Sequence, residues 1–400
     1  MTGTVIIGGG HAGGTAAAAL RRYGYTRPIS ILCEESYRPY ERPLLSKEFL
    51  RNADSRPPAV LDDEGDVDII LKVGEKAERL NLKEKTVITS SGAALNYDSL
   101  ILAMGVVARR LPFDNINRLH YVRDIPDADN LRNAIKASKR LVVIGAGVVG
   151  LEVAATARSI GLDVIVVEAS NRILGRNVPI DIASDIRALH DANKVEIICG
   201  ATVQGLIQNS DGLDITLEDG TTLRTDMAVA GIGMRPAVAL AEEAGLPCDN
   251  GVMVNDQQQT EDPSIYAIGD LAARSDSGSV PERLETWANA IESAQIAAAT
   301  ICGTEPPKRR APWFWTDQYD ANIQLVGQTH DTDFVLRRGD GVHSTRLYYK
   351  SQTLVGAATF NNAKDMGPLR RMLDAGLSPS PDDAGCETVS IRDLLKRSRT

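Results

Sequence analysis

Short apolar runs that end in glycine recur along the chain, and two of them stand in the same setting. Val5-Ile6-Ile7 leads into Gly8-x-Gly10-x-x-Gly13 and an alanine-rich stretch to Arg22; the next apolar run, Ile29-Ser30-Ile31-Leu32, closes on Glu34 and Glu35. About 135 residues further on, Leu141-Val142-Val143-Ile144 leads into Gly145-x-Gly147-x-x-Gly150, and Val164-Ile165-Val166-Val167 closes on Glu168. Each unit predicts strand, tight turn, helix and strand. The three glycines permit the turn, a close approach of backbone to a pyrophosphate, and close packing of helix on strand. The helix start then offers free N–H groups and its positive dipole end to the phosphates. An acid 18 to 22 residues past the last glycine can take ribose hydroxyls. Two such units imply two dinucleotides, a flavin and a nicotinamide exchanging a hydride.

The remaining pattern predicts helices at Gly13–Arg22, Leu131–Ser138, Val148–Ile160, 181–193 and 289–302, and one starting in 44–50 with Ser46 as its cap. Strands are predicted at Ile69–Val73, Thr86–Thr89, 99–102, 227–232 and 264–268, with a hairpin around Asp219-Gly220. Beyond Pro306-Pro307-Lys308-Arg309-Arg310 the texture changes to Trp313-Phe314-Trp315 and alternating runs at 323–326, 334–337, 346–349 and 354–358. These elements predict an α/β chain: two Rossmann-type nucleotide-binding domains plus a C-terminal α+β domain. The expected partition is 1–107 with 236–310, then 108–235, then 311–400.

At 400 residues the chain is too long for one core. A net charge of −9 argues against a nucleic-acid partner. No uncharged apolar stretch reaches the roughly 18 to 20 residues of a membrane span. Met1-Thr2-Gly3 leads straight into the first strand, so no leader peptide is expected and the cytoplasm is the expected compartment. Cys33, Cys199, Cys248, Cys302 and Cys386 form no CxxC or CxxxxC, which argues against the disulfide reductases that share this pair of modules.

The runs Tyr40-Glu41-Arg42-Pro43-Leu44-Leu45-Ser46-Lys47, Gly145 to Ala155, Gly269-Asp270 and Trp313 to Tyr319 together resemble the FAD-dependent NADH:ferredoxin reductases. That group serves Rieske-type oxygenases and bacterial cytochrome P450 systems and includes putidaredoxin and rubredoxin reductases. The resemblance implies a glutathione-reductase-like fold with FAD, NADH and C-terminal domains. It implies that Gly8, Gly10, Ala12 and Gly13 form the FAD pyrophosphate loop, with His11 packed near FAD. Glu34 matches the ribose carboxylate, Glu35 competes with it, and spacing does not separate them. Arg42 is a candidate for the FAD phosphates, since a guanidinium matches them bidentately. Ala77 and Arg123 match FAD contacts, Asp270 after Gly269 a ribityl contact, and Trp287 a flavin-ring contact that Glu285 helps hold. Lys47 matches a lysine near flavin N5. On the nicotinamide side the resemblance assigns Gly145, Gly147, Val148, Val149 and Gly150 to the pyrophosphate turn and Gly231 and Gly233 to the length of the cofactor. Glu152 matches a glutamate near that lysine which can bind the carboxamide. A carboxylate at Glu168 repels a 2′-phosphate and so predicts NADH over NADPH, although Arg172 nearby weakens that inference.

The implied activity passes electrons from NADH through FAD to a [2Fe–2S] ferredoxin and so, indirectly, to an oxygenase, by a monomer or homodimer. Lys47 and Glu152 stand closest to the chemistry. Lys308, Arg309, Arg310, Arg337, Arg338 and Arg392 are candidates for docking an acidic ferredoxin, and Trp313, Trp315 and Asp317 for lying beside the flavin. Two rival activities are an NADH oxidase or peroxidase and a redox-responsive flavoprotein of the apoptosis-inducing-factor type. The peroxidase needs a cysteine some thirty residues after His11, where Tyr40 to Leu45 has none. Two departures stand out: Ala103-Met104-Gly105 replaces the usual Ala-Thr-Gly, and the stretch after Lys47 is short and acidic, Asp62-Asp63-Glu64 included.

Overall fold

The computed structural model describes residues 2–52, 54–61, 68–113, 116–175, 178–275 and 280–398; Asp62-Asp63-Glu64 lies outside them. The chain forms two compact units. One is built from Met1–Arg42, Arg56–Val107 and Met234–Arg309, the other from Pro43–Ser55, Ala108–Gly233 and Arg310–Thr400.

In the first unit the strand Gly3–Ile7 lies between Ile29–Cys33 and Ala94–Leu102, parallel to both, with Ile7 opposite Leu32 and Leu102. Ile69–Val73 extends the sheet on one side and Ile265–Ala267 pairs with Ala94–Leu102. The long strand Ala94–Leu102 also pairs antiparallel with Thr86–Thr89, which pairs with Ala77–Asn81. Both faces of the central strand are covered, and so its apolar run is unbroken rather than alternating. Ile6 packs with Ala16, Ala17 and Leu20 of the helix His11–Arg22 and with Ala294, Ala297 and Ala298 of the helix Trp287–Cys302. Val5 and Ile7 point the other way, onto Leu100, Leu102 and Ala267. Alanines at the helix–helix contact let the two backbones approach closely.

In the second unit five parallel strands run in the order Glu196–Cys199, Asp163–Glu168, Arg140–Ile144, Met227–Ala230, Leu119–His120. The helix Ile125–Lys136 starts earlier than its apolar run because Asp124 caps it, accepting from the Asp127 N–H, with a proline in its first turn. Residues 310–400 of the same unit form an antiparallel sheet in the order Trp313–Gln318, Ala321–Gly327, Thr353–Phe360, His343–Lys350, Phe334–Asp340. The helices Ala363–Asp374 and Ile391–Arg397 cover it through Leu369, Met372 and Leu394. Pro43–Ser55 joins this unit through Phe49, fully buried beneath the Arg132 guanidinium, which stacks 4.7 Å from its ring. No described helix is long and apolar enough to cross a membrane.

Arg346 of the antiparallel sheet is 3% exposed and pairs with Asp181 at 2.9 Å and with Asp185, both on the helix Ile180–Ala192. Removing a buried partner strands the charges it balanced. Arg346→Ala is expected to lower stability by about 3 kcal/mol, read as a drop in melting temperature; an unchanged melting curve would show the pair to be incidental.

Candidate functional site

The two glycine turns have the same construction. Gly8 and Gly145 hold φ of +118° and +102°, and a Cβ there would stand 2.3 Å from the Ala103 carbonyl oxygen or 2.5 Å from that of Gly231. A Cβ at Gly13 or Gly150 would meet the carbonyl oxygen of Gly8 at 2.0 Å or of Gly145 at 2.2 Å, so only glycine lets each helix start against its strand. The middle glycines differ. At Gly147 the nearest atom to an added Cβ is 3.8 Å away, and at Gly10 it is Arg42 Nη2 at 4.0 Å. Packing within the chain makes no demand for glycine at these two positions.

The helix His11–Arg22 begins after Gly10, two residues before Gly13, and Val148–Ile160 begins after Gly147. Neither has a side-chain cap or an acid in its first turn, whereas Trp287–Cys302 is capped by Thr286 through the Asn289 N–H. The first N–H groups of a helix have no partner inside it. Ala12 lies in one such turn, Val148 and Val149 in the other. Both ring nitrogens of His11 are buried without a hydrogen-bond partner, and its ring stacks on Trp287 at 5.1 Å. Burial lowers the His11 pKa to about 4 and keeps the ring neutral. Uncapped donors and an open middle glycine fit a dinucleotide phosphate at each turn, with the orphaned His11 ring beside the first.

Around the first turn, Arg42 Nη2 lies 2.5 Å from Glu35 Oε1, and the Tyr40 hydroxyl donates to Glu35 Oε2 at 2.6 Å. Glu34 points outward to Lys76 at 2.9 Å. The N–H groups of Gly74 and Glu75 donate to the carbonyls of Glu35 and Cys33, which brings buried Ala77 alongside the strand end. Gly269, at φ +65°, and Asp270 form a short turn tied to the helix Trp287–Cys302: the Gly269 N–H donates to Ser293 Oγ at 2.9 Å, and Asn289 Nδ2 to the Gly269 carbonyl at 3.4 Å. Glu285 pairs with Arg283, which also donates to the Asp270 carbonyl at 3.1 Å; the acid thereby steadies the Asp270 turn through arginine. Met104 packs against the core beside the Gly8 turn.

Strand register explains why spacing left Glu34 and Glu35 unresolved. Ile7 pairs with Leu32 as Ile144 pairs with Val167, so Cys33 occupies the place that Glu168 holds in the other module. A Cβ on Gly9 would meet Cys33 Sγ at 2.1 Å, so the sulfur fills the space over that turn and the acids come one and two residues later. Burial, with Glu35 nearby, pushes the Cys33 thiol up to about 12. Glu168 lies across its own turn, Oε2 accepting from the Ala146 N–H at 2.7 Å and Oε1 from Ser170 N–H at 2.8 Å. Arg172 donates to the carbonyls of Val178 and Gly175, which commits its guanidinium to its own loop. The Gly231 N–H donates to the Ile144 carbonyl at 2.8 Å, and Gly233, at φ +99°, accepts from the Arg109 N–H at 3.0 Å, completing the wall beside Gly145. Arg123 lies in the same unit, its N–H donating to Asp127 Oδ2.

Lys47 and Glu152 come together in the second unit at 3.0 Å, 12% and 5% exposed. Glu152 Oε2 accepts from Ser46 Oγ at 2.5 Å, and Oε1 also accepts from Thr316 Oγ1 at 2.7 Å. Asp317 Oδ2 is 3.7 Å from Lys47 Nζ, and Trp315, stacked on Trp313, lies 6.0 Å from it. Ser46 was expected to cap a helix; the helix is the single turn Glu48–Arg51 with Lys47 at its cap, because a buried carboxylate takes the hydroxyl instead. Ser46 and Thr316 stand within the motif runs, but nothing in the sequence pairs them with Glu152; Arg283, Asn289 and Ser293 carry no signal beyond ordinary polar residues near motifs. Of the arginines proposed for docking, Arg338 is 8% exposed and donates to the carbonyls of Ala384 and Val389, and Arg309 donates to the Asp256 carbonyl. Both serve their own fold.

The chain belongs to the pyridine nucleotide-disulphide oxidoreductase family, which matches residues 2–294; residues 313–395 match a reductase C-terminal family. It is 36% identical, over 97% of each chain, to the ferredoxin–NAD(+) reductase component of the p-cumate 2,3-dioxygenase system of Pseudomonas putida. Rhodocoxin reductase of Rhodococcus erythropolis is also 36% identical, over 99% of this chain and 95% of its own. The reductase in the crystal structure of the covalent putidaredoxin reductase–putidaredoxin complex matches at 33% identity with a TM-score of 0.93, over 100% of this chain and 99% of that one. The resemblance drawn from the motifs and the glutathione-reductase-like α/β fold both hold, and FAD and NAD(H) are the cofactors of this family.

Gly147→Ala separates binding from folding, since an added Cβ meets nothing closer than the Gly231 carbonyl oxygen at 3.8 Å. NADH affinity is expected to fall at least about tenfold with an unchanged melting temperature, measured by titration and thermal melting. Unaltered NADH binding would remove the turn from the site.

Proposed function

We propose that this protein is a ferredoxin–NAD(+) reductase that takes electrons from NADH through FAD to a [2Fe–2S] ferredoxin serving an oxygenase. The observation that carries this reading is the pair of glycine turns, each opening onto an uncapped helix, in a chain that matches such reductases along nearly its whole length. When bound, FAD accepts a hydride from NADH and releases its two electrons singly. We assign FAD to 1–107 and 236–310, NADH to 108–235, and the C-terminal α+β domain to 311–400.

For FAD, Gly8, Gly10, His11, Ala12 and Gly13 take the pyrophosphate with Arg42, whose guanidinium already stands over Gly10. One of the competing acids Glu34 and Glu35 serves the ribose end with Ala77; Gly269, Asp270, Glu285 and Trp287 serve the flavin end, with Arg123 as a further contact. For NADH, Gly145, Gly147, Val148, Val149 and Gly150 take the pyrophosphate, Gly231 and Gly233 line the cofactor, and Glu168 takes the ribose. The two backbone donors hold Glu168 where a 2′-phosphate would meet like charge, and Arg172 is turned away from relieving it. Glu152 accepts from the carboxamide and so orients the ring for near-contact hydride transfer. Lys47 fixes Glu152 and supplies positive charge to offset the reduced flavin. We assign the enzyme to the cytoplasm. A peroxidase would need a thiolate beside the first turn, and the Cys33 thiol there is held protonated.

Added [2Fe–2S] ferredoxin is expected to stimulate NADH-driven cytochrome c reduction; no stimulation across several ferredoxins would sink the reading. Glu168→Ala is expected to narrow the preference for NADH over NADPH by about tenfold, in steady-state assays with each nucleotide. An unchanged ratio would take the ribose role from Glu168.

A further inference from the structure

His190 lies on the helix Ile180–Ala192, is fully buried, and belongs to neither glycine turn. Its Nε2 is 3.1 Å from Gln318 Oε1, and its Nδ1 is 3.2 Å from the Tyr319 hydroxyl. Gln318 Nε2 donates to Thr316 Oγ1 at 2.9 Å, and Thr316 Oγ1 donates to Glu152 Oε1 at 2.7 Å. His190, Gln318 and Thr316 are each 0% exposed, so the chain of bonds runs through dry protein.

The direction of every bond in this chain is set from one end. A carboxylate only accepts, so the single Thr316 proton goes to Glu152 and the Thr316 oxygen must accept from Gln318. That fixes the Gln318 amide with its oxygen toward His190, which must then carry its proton on Nε2 and accept at Nδ1 from Tyr319. Reversing the amide would bring two acceptors together at Thr316 or two donors at His190. Burial lowers the His190 pKa to about 4, which keeps the ring neutral with the one N–H the chain requires. Tyr319 itself sits at φ +59° in the turn between Trp313–Gln318 and Ala321–Gly327, a conformation that tyrosine adopts at a cost. Its ring packs edge-on against His190 at 5.2 Å, so the turn, the histidine and the amide hold one another.

From this geometry we infer that His190 is a positioning residue for Glu152, acting through Gln318 and Thr316 to hold the carboxylate in the rotamer that meets the nicotinamide carboxamide. The inference rests on the proposed role of Glu152. Lys47 and Ser46 restrain the carboxylate from one side, and the His190 chain restrains it from the other. Losing any link lets Thr316 rotate its hydroxyl away and leaves Glu152 restrained from the Lys47 and Ser46 side alone.

The test compares NAD+ with ADP-ribose, which uses the same glycine turn but lacks the nicotinamide. Calorimetric titration of the full-length FAD-loaded protein would be run on His190→Phe, Thr316→Val, Thr316→Ser, Glu152→Gln and the double variant His190→Phe/Glu152→Gln. His190→Phe and Thr316→Val are expected to weaken NAD+ about three- to tenfold while leaving ADP-ribose unchanged, and Thr316→Ser to restore NAD+ binding. His190→Phe should add nothing further once Glu152 is Gln. If Glu152→Gln lowers NAD+ selectively and the His190 and Thr316 variants do not, the relay is wrong and the Glu152 role stands. Equal losses for both ligands would make His190 a packing residue only. A Glu152→Gln variant with full NAD+ affinity overturns the carboxamide role and the relay together. Should His190→Phe fail to fold, the Thr316→Val and Thr316→Ser pair carries the same comparison.

Discussion

The closest constraint in this protein is steric: a helix must begin within bonding distance of the strand that precedes it, and the carbonyl oxygens of Gly8 and Gly145 leave no room for a side chain at Gly13 and Gly150. Much else follows from that contact. The helix is brought close to its sheet, so it must be faced with small residues, as Ala16 and Ala17 are. Its first N–H groups then point out of the turn with no side chain to satisfy them, which suits the turn to an anion rather than to a cap of its own.

The same turn is finished in two ways. In the second module the acid at the strand end folds over its own glycine loop and is held by two backbone donors. In the first, a cysteine takes that position and packs against Gly9, and the acids that follow are split between Arg42 on the inside and Lys76 on the outside. A thiol is small, apolar in effect and protonated here, so it fills space where a carboxylate would bring charge. Arg42, paired with Glu35, stands with its Nη2 4.0 Å from a Cβ built on Gly10.

Glu152 poses a different problem. A carboxylate buried on an apolar helix is costly unless every oxygen is met. Three donors from separate parts of the chain converge on it: Lys47 and Ser46 from the segment before the short helix Glu48–Arg51, and Thr316 from the antiparallel sheet. This convergence gives a physical reason for Pro43–Ser55 and 310–400 to fold with the second module rather than the first.

The sequence by itself determined the two glycine turns, the strands and helices flanking them and the family, because these depend on local chirality, apolar runs and the absence of a side chain, all readable residue by residue. It also singled out Lys47 and Glu152 as candidates through their motifs, and the structure pairs them. Only the tertiary structure decided that Cys33 takes the place in the first module that Glu168 holds in the second, since this rests on strand register. Tertiary packing likewise spent Arg172, Arg309 and Arg338 on nearby backbone carbonyls, and it took Ser46 from a helix cap to a carboxylate. Hydrogen bonds between residues more than 100 positions apart, such as Ser46 to Glu152 or Thr316 to Glu152, leave no periodic trace along a chain, because their partners are chosen by distance in space after the fold is made.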